Sequence, residues 1–459
     1  MASCVREGNK AVSKMVFRAS GKLSREARYR LSGFSIVYDE GDVHLIWNMF
    51  TSQLLLLTSG EREALTAVQD SPVSFSYLEQ HGLVELAERR FLVTEDCNEE
   101  EEYLQILEVM RMMRKPPDGL NNYVIFPTTG CNARCPYCFE SDFVPATMTE
   151  ETVLATVDYI ERTMSKKKPI DIRWFGGEPL VAASRIDLFC TEFERRGIEF
   201  TSNIVTNASL LTPELVDKAH DLWHLCAAQV SLDGCRADFE LRKRFLTPLS
   251  HNYDTVIRNI HLLADKGVKV ILRCNYDEGN LEGLPEFVDD LGREFGGMKN
   301  VRMYFALLFD ERMLPTAPEL IRAVRDVEDQ AVRYGIFGER TFYTRTVRPR
   351  ACMADEPDRT QAIDPMGQLQ NCEHLNDCRI FGTVWDGITN QELYDTFSSP
   401  YEVDEPCHGC TFLPLCSPGV KKICSNSDSL YCREMCMAQM ENIMHREAVK
   451  IVAKRAEAL

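Results

Sequence analysis

The sequence is short of positive charge: 52 Lys and Arg stand against 70 Asp and Glu, for a formal charge of −18 over 459 residues. A groove for a phosphate backbone needs clustered cations, so nucleic acid is not expected as a partner. Long hydrophobic runs are also missing. The first twenty residues, MASCVREGNKAVSKMVFRAS, hold no apolar core of a secretion signal, and no run approaches the ~20 residues of a membrane helix. A cytoplasmic protein with no membrane partner is expected. The acidic run Glu95-Asp96 and Glu99 to Glu102 reads as a solvated helix start or linker. With 44% apolar residues the chain can bury a sizeable core, and its length calls for two or three domains.

Cysteine, by contrast, is abundant. Eighteen are present, and thiols of a cytosolic protein stay reduced, so metal binding explains them better than disulfides. Nine fall between Cys352 and Cys436, marking a cluster-binding C-terminal block. Cys4, Cys97, Cys190, Cys226, Cys235 and Cys274 stand apart and read as small core residues or exposed thiols.

Three blocks are expected, at 1–115, 116–340 and 341–459. In the first, residues 33–57 alternate apolar and polar around a hairpin turn at Asp39-Glu40-Gly41-Asp42. Helical patterns follow at Glu61 to Val68 and Glu99 to Arg114, until Lys115 to Gly119 (KPPDG) breaks the chain. A small winged-helix-like module fits. The second block alternates strand and helix six times. Its strands are Tyr123 to Phe126, Ile170 to Phe175, Phe200 to Thr206, Ala227 to Leu232, Val268 to Asn275 and Asn300 to Leu307. Amphipathic stretches separate them, such as Glu150 to Met164, Arg185 to Arg196, Pro213 to Leu222, Asp254 to Lys266 and Leu284 to Phe295. This is an α/β pattern with a parallel sheet, open or curled into a partial barrel, whose site lies at the strands' C-terminal ends.

At that face, just after the first strand, TTGCNARCPYCFE places Cys131, Cys135 and Cys138 at C-x3-C-x2-C. With this cysteine content such a spacing arises by chance only about 0.03 times. Zinc sites usually use two separated pairs, whereas three thiolates in one loop can hold three irons of a 4Fe-4S cube and leave the fourth open. These residues resemble the radical S-adenosylmethionine (SAM) superfamily, which implies a partial (β/α)6 barrel. The resemblance implies that Tyr137 contacts the adenine and that Gly176, Gly177, Glu178 and Pro179 receive the methionine amino group. Glycine allows close backbone approach there, and Glu178 offers an anionic acceptor. Asn207, Ser231 and Asp233, ending strands three and four, would meet the ribose and carboxylate. Arg273 and Asn275 end strand five, where Arg273 suits the SAM carboxylate. Singly, Asn207, Ser231 and Asp233 are also ordinary turn residues.

The last block resembles the cysteine-rich SPASM extension of that superfamily, which implies two auxiliary clusters and three 4Fe-4S clusters in all. Cys352 precedes Gly367-x4-Cys372, and Cys407, Cys410 and Cys416 keep the family spacing. Cys424 departs from it, following after seven residues instead of three. By the resemblance one cluster takes Cys407, Cys410, Cys416 and either Cys432 or Cys436. The other takes Cys352, Cys372 and Cys424, with Cys378 as a further candidate. A zinc ribbon using the C-x2-C pair and His408 is the alternative.

The chain before the cysteine triplet resembles the peptide-recognition element of radical SAM enzymes that modify ribosomally made peptides, which binds a leader segment by adding a strand to a sheet edge. Val43 to Leu57 is the expected edge. The resemblance implies a maturase in which a reduced cluster cleaves SAM to a 5'-deoxyadenosyl radical that removes a peptide hydrogen. Closure to a thioether or carbon-carbon crosslink would pass an electron to an auxiliary cluster, with flavodoxin or ferredoxin as electron donor. Asp310, beyond strand six, is the candidate base. Formylglycine formation or epimerisation, the latter using Cys235 or Cys274 as hydrogen donor, is the alternative on this scaffold. A non-enzymatic iron-sulfur or zinc electron-transfer scaffold is the alternative outside it.

Overall fold

The computed structural model describes residues 3–6, 23–114, 117–141, 143–248, 250–308, 316–338, 354, 356–373, 379–398, 403, 405–416 and 432–457. Both expected block boundaries fall outside them.

Six parallel strands run in sequence order: β1 (Asn122–Thr128), β2 (Ile170–Gly176), β3 (Phe200–Thr206), β4 (Leu225–Ser231), β5 (Lys269–Tyr276) and β6 (Val301–Leu307). All six expected strands are present within two residues of their expected limits. One face of each strand is apolar because helices cover it. Ile172 and Trp174 of β2, Ala228 and Val230 of β4, and Val270 and Leu272 of β5 share one core with the crossover helices. Those helices are α1 (Glu150–Thr163), α2 (Ala183–Arg196), α3 (Pro213–Asp221), α4 (Arg236–Arg242), α5 (Tyr253–Asp265) and α6 (Leu284–Phe295). Side-chain caps start several of them, with Thr149, Thr212 and Asn252 each accepting from the backbone N–H three residues on. Alternation turns Arg173, Asn203, Gln229, Ser231, Arg273 and Tyr304 to the opposite, inner face. Contacts link neighbours there: Arg173 Nε donates to Asn203 Oδ1 at 3.1 Å and Tyr304 to Gln229 Oε1 at 3.1 Å.

Among the described residues the sheet does not close on itself. Beyond β1 it is continued by β7 (Thr360–Ile363), parallel to β1, then by the antiparallel strands β8 (Gln368–Gln370), β9 (Gly382–Thr383) and β10 (Gly387–Ile388). The last block therefore extends the barrel sheet. Asp364 Oδ1 accepts from the N–H groups of Met366 and Gln368, and Gly367 adopts φ +75°, closing the β7–β8 turn. The Gly-x4-Cys spacing thus places Cys372 just past β8.

The N-terminal block forms a second sheet in the order Ser3–Arg6, Gln53–Leu57, Val43–Asn48, Ser35–Glu40, all antiparallel. Its hairpin turns at Gly41-Asp42, as expected. The strand Val43–Asn48 is internal, and the outer side of Gln53–Leu57 is paired with Ser3–Arg6, so the expected edge at Val43 to Leu57 is not open in this structure. A hairpin's sequence does not mark which of its strands lies outermost, and here the covering strand comes from a distant segment. Helices Ser59–Asp70, Phe75–His81 and Val84–Glu88 follow, with a small sheet of Arg28–Leu31, Val73–Ser74 and Leu92–Thr94, and then helix Glu99–Met112.

First and last blocks share a core. Trp47, Phe50, Tyr103 and Leu107 pack with Phe412, Met440 and Met444, the last two on the long helix Cys432–Glu457. The same helix meets the barrel block through Arg322–Glu441 (2.7 Å), Asn442 Nδ2 to Ile321 O (2.6 Å) and His445–Asp329 (2.9 Å), while His445 also reaches Glu40 at 3.0 Å. Among the described residues no helix is long and apolar enough to cross a membrane.

Met444 is fully buried in this shared core. Met444→Ala should cost about 2–5 kcal/mol. Hydrogen exchange should then quicken in Val43–Asn48 and Cys432–Glu457 together while β1–β6 keep their protection. Faster exchange confined to the long helix would contradict a shared core.

Candidate functional site

The C-terminal ends of β1 to β5 converge on the loop that carries Cys131, Cys135 and Cys138. That loop is tied on three sides. Ala133 bridges Phe245, Arg134 N–H donates to Arg244 O at 2.8 Å, and Leu246 N–H donates to Asn132 O at 2.9 Å. Asn132 Nδ2 donates to Ser209 at 2.9 Å and its Oδ1 accepts from Asn207 Nδ2 at 2.8 Å. The third tie is the Gly-Gly-Glu stretch, where Glu178 N–H donates to Gly130 O at 3.0 Å.

The two glycines serve that packing. A Cβ on Gly176, which has φ +123°, would lie 2.1 Å from Thr128 O, and one on Gly177 would lie 2.5 Å from Thr129 O. Their close approach is therefore to the backbone of the cysteine loop itself, which side chains would hold away. Glu178 is fully buried. Its Oε1 accepts from Thr206 Oγ1 (2.6 Å) and Leu180 N–H (3.1 Å), and its Oε2 from Asn207 N–H (2.7 Å). Burial raises its pKa against those bonds. Most of its acceptor capacity already joins β2 to β3, which leaves one Oε2 lone pair for a ligand. Pro179 opens the short helical turn that follows.

Asp233 is a second hub. Its Oδ1 accepts from Asn275 N–H (3.0 Å) and Asn275 Nδ2 (2.9 Å), and its Oδ2 accepts from Tyr137 and lies 3.4 Å from Lys243 Nζ. The guanidinium of Arg242 and the ammonium of Lys243 stand 5.2 and 5.5 Å from the Tyr137 ring centre. Burial opposes the Lys243 charge, yet Asp233 and then Tyr137 hold its pKa above the usual range. Arg242 is held in turn by both oxygens of Asp277, at 3.0 and 2.9 Å. Arg273 Nε donates to Asn275 Oδ1 at 2.8 Å, and Ser231 pairs with Arg273 across β4 and β5. Tyr137, Asp233, Arg273 and Asn275 therefore belong to one connected group, while Glu178 and Asn207 belong to the group that fixes the cysteine loop.

The three thiols are half-buried. Burial pushes Cys131 up to about 11, and the charges of Glu178, Cys135 and Cys138 add to it, so the thiols lie within electrostatic reach of one another. Burial likewise raises Cys138. Among the described residues no three His, Cys, Asp or Glu side chains close around one point. Three thiols on one anchored loop nevertheless suit an iron-sulfur cube in donor chemistry, and an iron's charge would favour the thiolates that burial disfavours. Beside them Glu140 is pushed up to about 7 by burial, reinforced by Glu178 and Glu373, and its buried Oε1 has no hydrogen-bond partner among the described residues. Glu373, next to Cys372, pairs with Arg173 of β2, which brings the last block over the inner face.

Cys407, Cys410 and Cys436 pack against one core, that shared by the first and last blocks. Cys416 and Cys432 lie on helices Leu413–Cys416 and Cys432–Glu457. Cys352, Cys378, Cys424 and Asp310 lie outside the described residues. His408 Nδ1 contacts Glu100 at 2.6 Å. Cys274 is fully buried on the helix-covered side of β5, opposite in alternation to Arg273, and Cys235 donates to Asp238 at 3.3 Å. Sequence reasoning missed Asn132, Arg242, Lys243, Asp277 and Glu140. Only the RK pair nine residues after the SLDG aspartate hinted at them, and burial of a lysine has no local signature.

Residues 125–291 match the model of the Radical SAM superfamily, so the chain carries that domain and the α/β fold expected of it. The chain is 35% identical over 173 residues to an AdoMet-dependent heme synthase of Methanosarcina barkeri, covering 37% of this chain and 46% of that protein. It is 25% identical over 162 residues to the radical SAM cyclopropyl synthase TigE of Paramaledivibacter caminithermalis, covering 31% and 34%. The chain thus spans less than half the length of these relatives. Among solved structures, anSMEcpe with bound AdoMet and Cp18Cys peptide superposes with TM-score 0.54 at 15% identity, covering 72% of this chain and 99% of that one. SuiB of Streptococcus suis bound to S-adenosylmethionine gives TM-score 0.50 at 16% identity, covering 87% and 98%.

Lys243→Met should leave Asp233 buried without its cation and cost about 3–5 kcal/mol. Adding Asp233→Asn should restore most of that loss, because the amide carries no charge, although it cannot accept from all of Asp233's donors. Denaturant unfolding of both variants checks this. A single variant as stable as the parent would show that the pair does not support the site.

Proposed function

We propose that this chain, whose residues 125–291 form a radical SAM domain, is a peptide maturase. It would remove a hydrogen from an unactivated carbon of a ribosomally made precursor and close a thioether or carbon-carbon crosslink. The supporting observation is an arrangement. A strand-rich N-terminal module and a cysteine-rich last block share one core, and the last block reaches the inner face of the barrel through Glu373. The peptide bound to anSMEcpe, which has this barrel fold, agrees with such a substrate.

In this reading Cys131, Cys135 and Cys138 hold the cluster, which with bound SAM supplies one-electron radical chemistry. The chain's own residues do the rest. Glu178 and Asn207 keep the cysteine loop on the strand ends. Tyr137, locked to Asp233 and flanked by two cations, offers a fixed ring for an adenine, and Arg273 offers a guanidinium for the SAM carboxylate. Arg173, Gln229 and Tyr304 line the inner face where the peptide carbon would be aligned. Cys407, Cys410, Cys416 and either Cys432 or Cys436 are the candidate ligands of one auxiliary cluster, and Cys352, Cys372 and Cys424, with Cys378 as a further candidate, those of the other. Auxiliary iron-sulfur clusters held by these residues would supply an acceptor for the electron released on closure, and flavodoxin or ferredoxin would supply the starting electron. The sequestered position of Cys274 and the Cys235–Asp238 bond disfavour epimerisation by a thiol donor.

The test is anaerobic incubation with SAM, dithionite and a short cysteine-rich precursor peptide encoded by a neighbouring open reading frame. 5'-Deoxyadenosine should form and the peptide should lose two hydrogens, and both should vanish when Cys131, Cys135 and Cys138 are all changed to alanine. SAM cleavage with a peptide of unchanged mass would reject crosslinking.

A further inference from the structure

The cysteine loop has an outer surface as well as the side that meets the strand ends. Ala133 and Phe245 form an antiparallel bridge with both side chains buried, which sets Arg134 directly opposite Arg244. Both arginines are exposed. One guanidinium nitrogen of Arg134 donates to Cys131 O (2.9 Å) and Ala133 O (2.7 Å), and Arg244 Nε donates to Leu241 O at 3.4 Å. Among the described residues neither arginine has a carboxylate within ion-pair distance. Arg185, Arg196, Arg236 and Arg242 of the same block each hold one.

Like charges directly opposite across a strand pair are destabilising. Here they stand without a counter-charge on a chain whose formal charge is −18. The surface around them is apolar. Leu241 and Leu246 are 70% and 59% exposed, and Pro136, between Cys135 and Cys138, is exposed as well. Arginines set among exposed apolar side chains have the composition of a protein-binding surface, and their planar paired donors suit carboxylates.

We propose that this surface, formed by Arg134, Pro136, Leu241, Arg244 and Leu246, docks an acidic one-electron carrier protein of the flavodoxin class. The proposal rests on the reading of Cys131, Cys135 and Cys138 as ligands of a radical SAM cluster. In that reading SAM and peptide occupy the inner face of the barrel, so a protein reductant has to approach the cysteine loop from its outer side, where these residues lie. The carrier loses one electron and the iron-sulfur group gains it. Carboxylates of the carrier supply the counter-charges that Arg134 and Arg244 lack. The acidic remainder of the chain repels such a carrier, so the two cations orient it and raise its encounter rate. Encounters of this kind bury little area and are weak, which leaves the carrier free to leave once oxidised.

The probe is oxidised flavodoxin, titrated by calorimetry into the full chain after anaerobic reconstitution. Saturable binding is expected, weakening at least about tenfold between about 50 and about 300 mM salt. Arg244→Glu should weaken it at least about tenfold at the lower salt, yet melt no lower than the parent, because an opposite pair replaces a like one. Leu246→Asp adds a repelling charge at an exposed position and should weaken binding as well. Lys299→Glu makes the same charge change as Arg244→Glu at the other end of the barrel, in the turn before β6, and should bind as the parent does. No binding by the parent, parent-like binding by Arg244→Glu, or equal weakening by Lys299→Glu would overturn the proposal. If Arg244→Glu melts below the parent, Leu246→Asp decides alone, and parent-like binding by it overturns the proposal. The titration needs neither SAM nor peptide, and the product-mass assay is driven by dithionite, so each can fail without the other.

Discussion

One buried carboxylate holds the reactive face together. Glu178 sits in the loop after β2, yet its backbone N–H binds the cysteine loop after β1 and its side chain binds Thr206 and Asn207 at the end of β3. Desolvating a carboxylate costs several kcal/mol unless its oxygens are met. That cost is offset only when all three strand ends are in place, so the acid couples their positions. The glycines before it allow the loops to touch at backbone distance. The cysteine loop is thus fixed from beneath before any ligand arrives, as a site built for rapid, directed radical chemistry requires.

Around that face the chain is stitched from its two ends. The last block extends the barrel sheet at β7 and packs Phe381, Val384 and Ala438 into the barrel core. Its long helix turns other residues, Met440 and Met444, to the N-terminal module. The candidate auxiliary cysteines Cys407, Cys410 and Cys436 lie at that second junction. An iron-sulfur group there would also brace the module, because metal binding adds to folding free energy.

Much of this was legible in the sequence. Six strand candidates alternating with amphipathic helices set the parallel sheet, and the cysteine spacing located its reactive end. The Gly-Gly-Glu stretch lies at the strand ends where the sequence put it, and its contacts within the chain could not be read there: the glycines admit a neighbouring loop and Glu178 binds chain donors. For Lys243 and Arg242 the sequence held no more than the hint of their pairing, since their burial over Tyr137 arises only when α4 folds back on the cysteine loop. The occupied edge of Gln53–Leu57 and the core shared by Trp47 and Met444 were equally hidden, because both join segments far apart in sequence and leave no periodic trace.

The central claim is that Cys131, Cys135 and Cys138 hold a cluster with one open iron for SAM. Electron paramagnetic resonance of the anaerobically reconstituted, reduced protein tests it most directly. The account predicts a spectrum that changes when SAM is added, from a component that is absent when the three cysteines are replaced. A reduced spectrum indifferent to SAM, or one unaltered by those replacements, would contradict it.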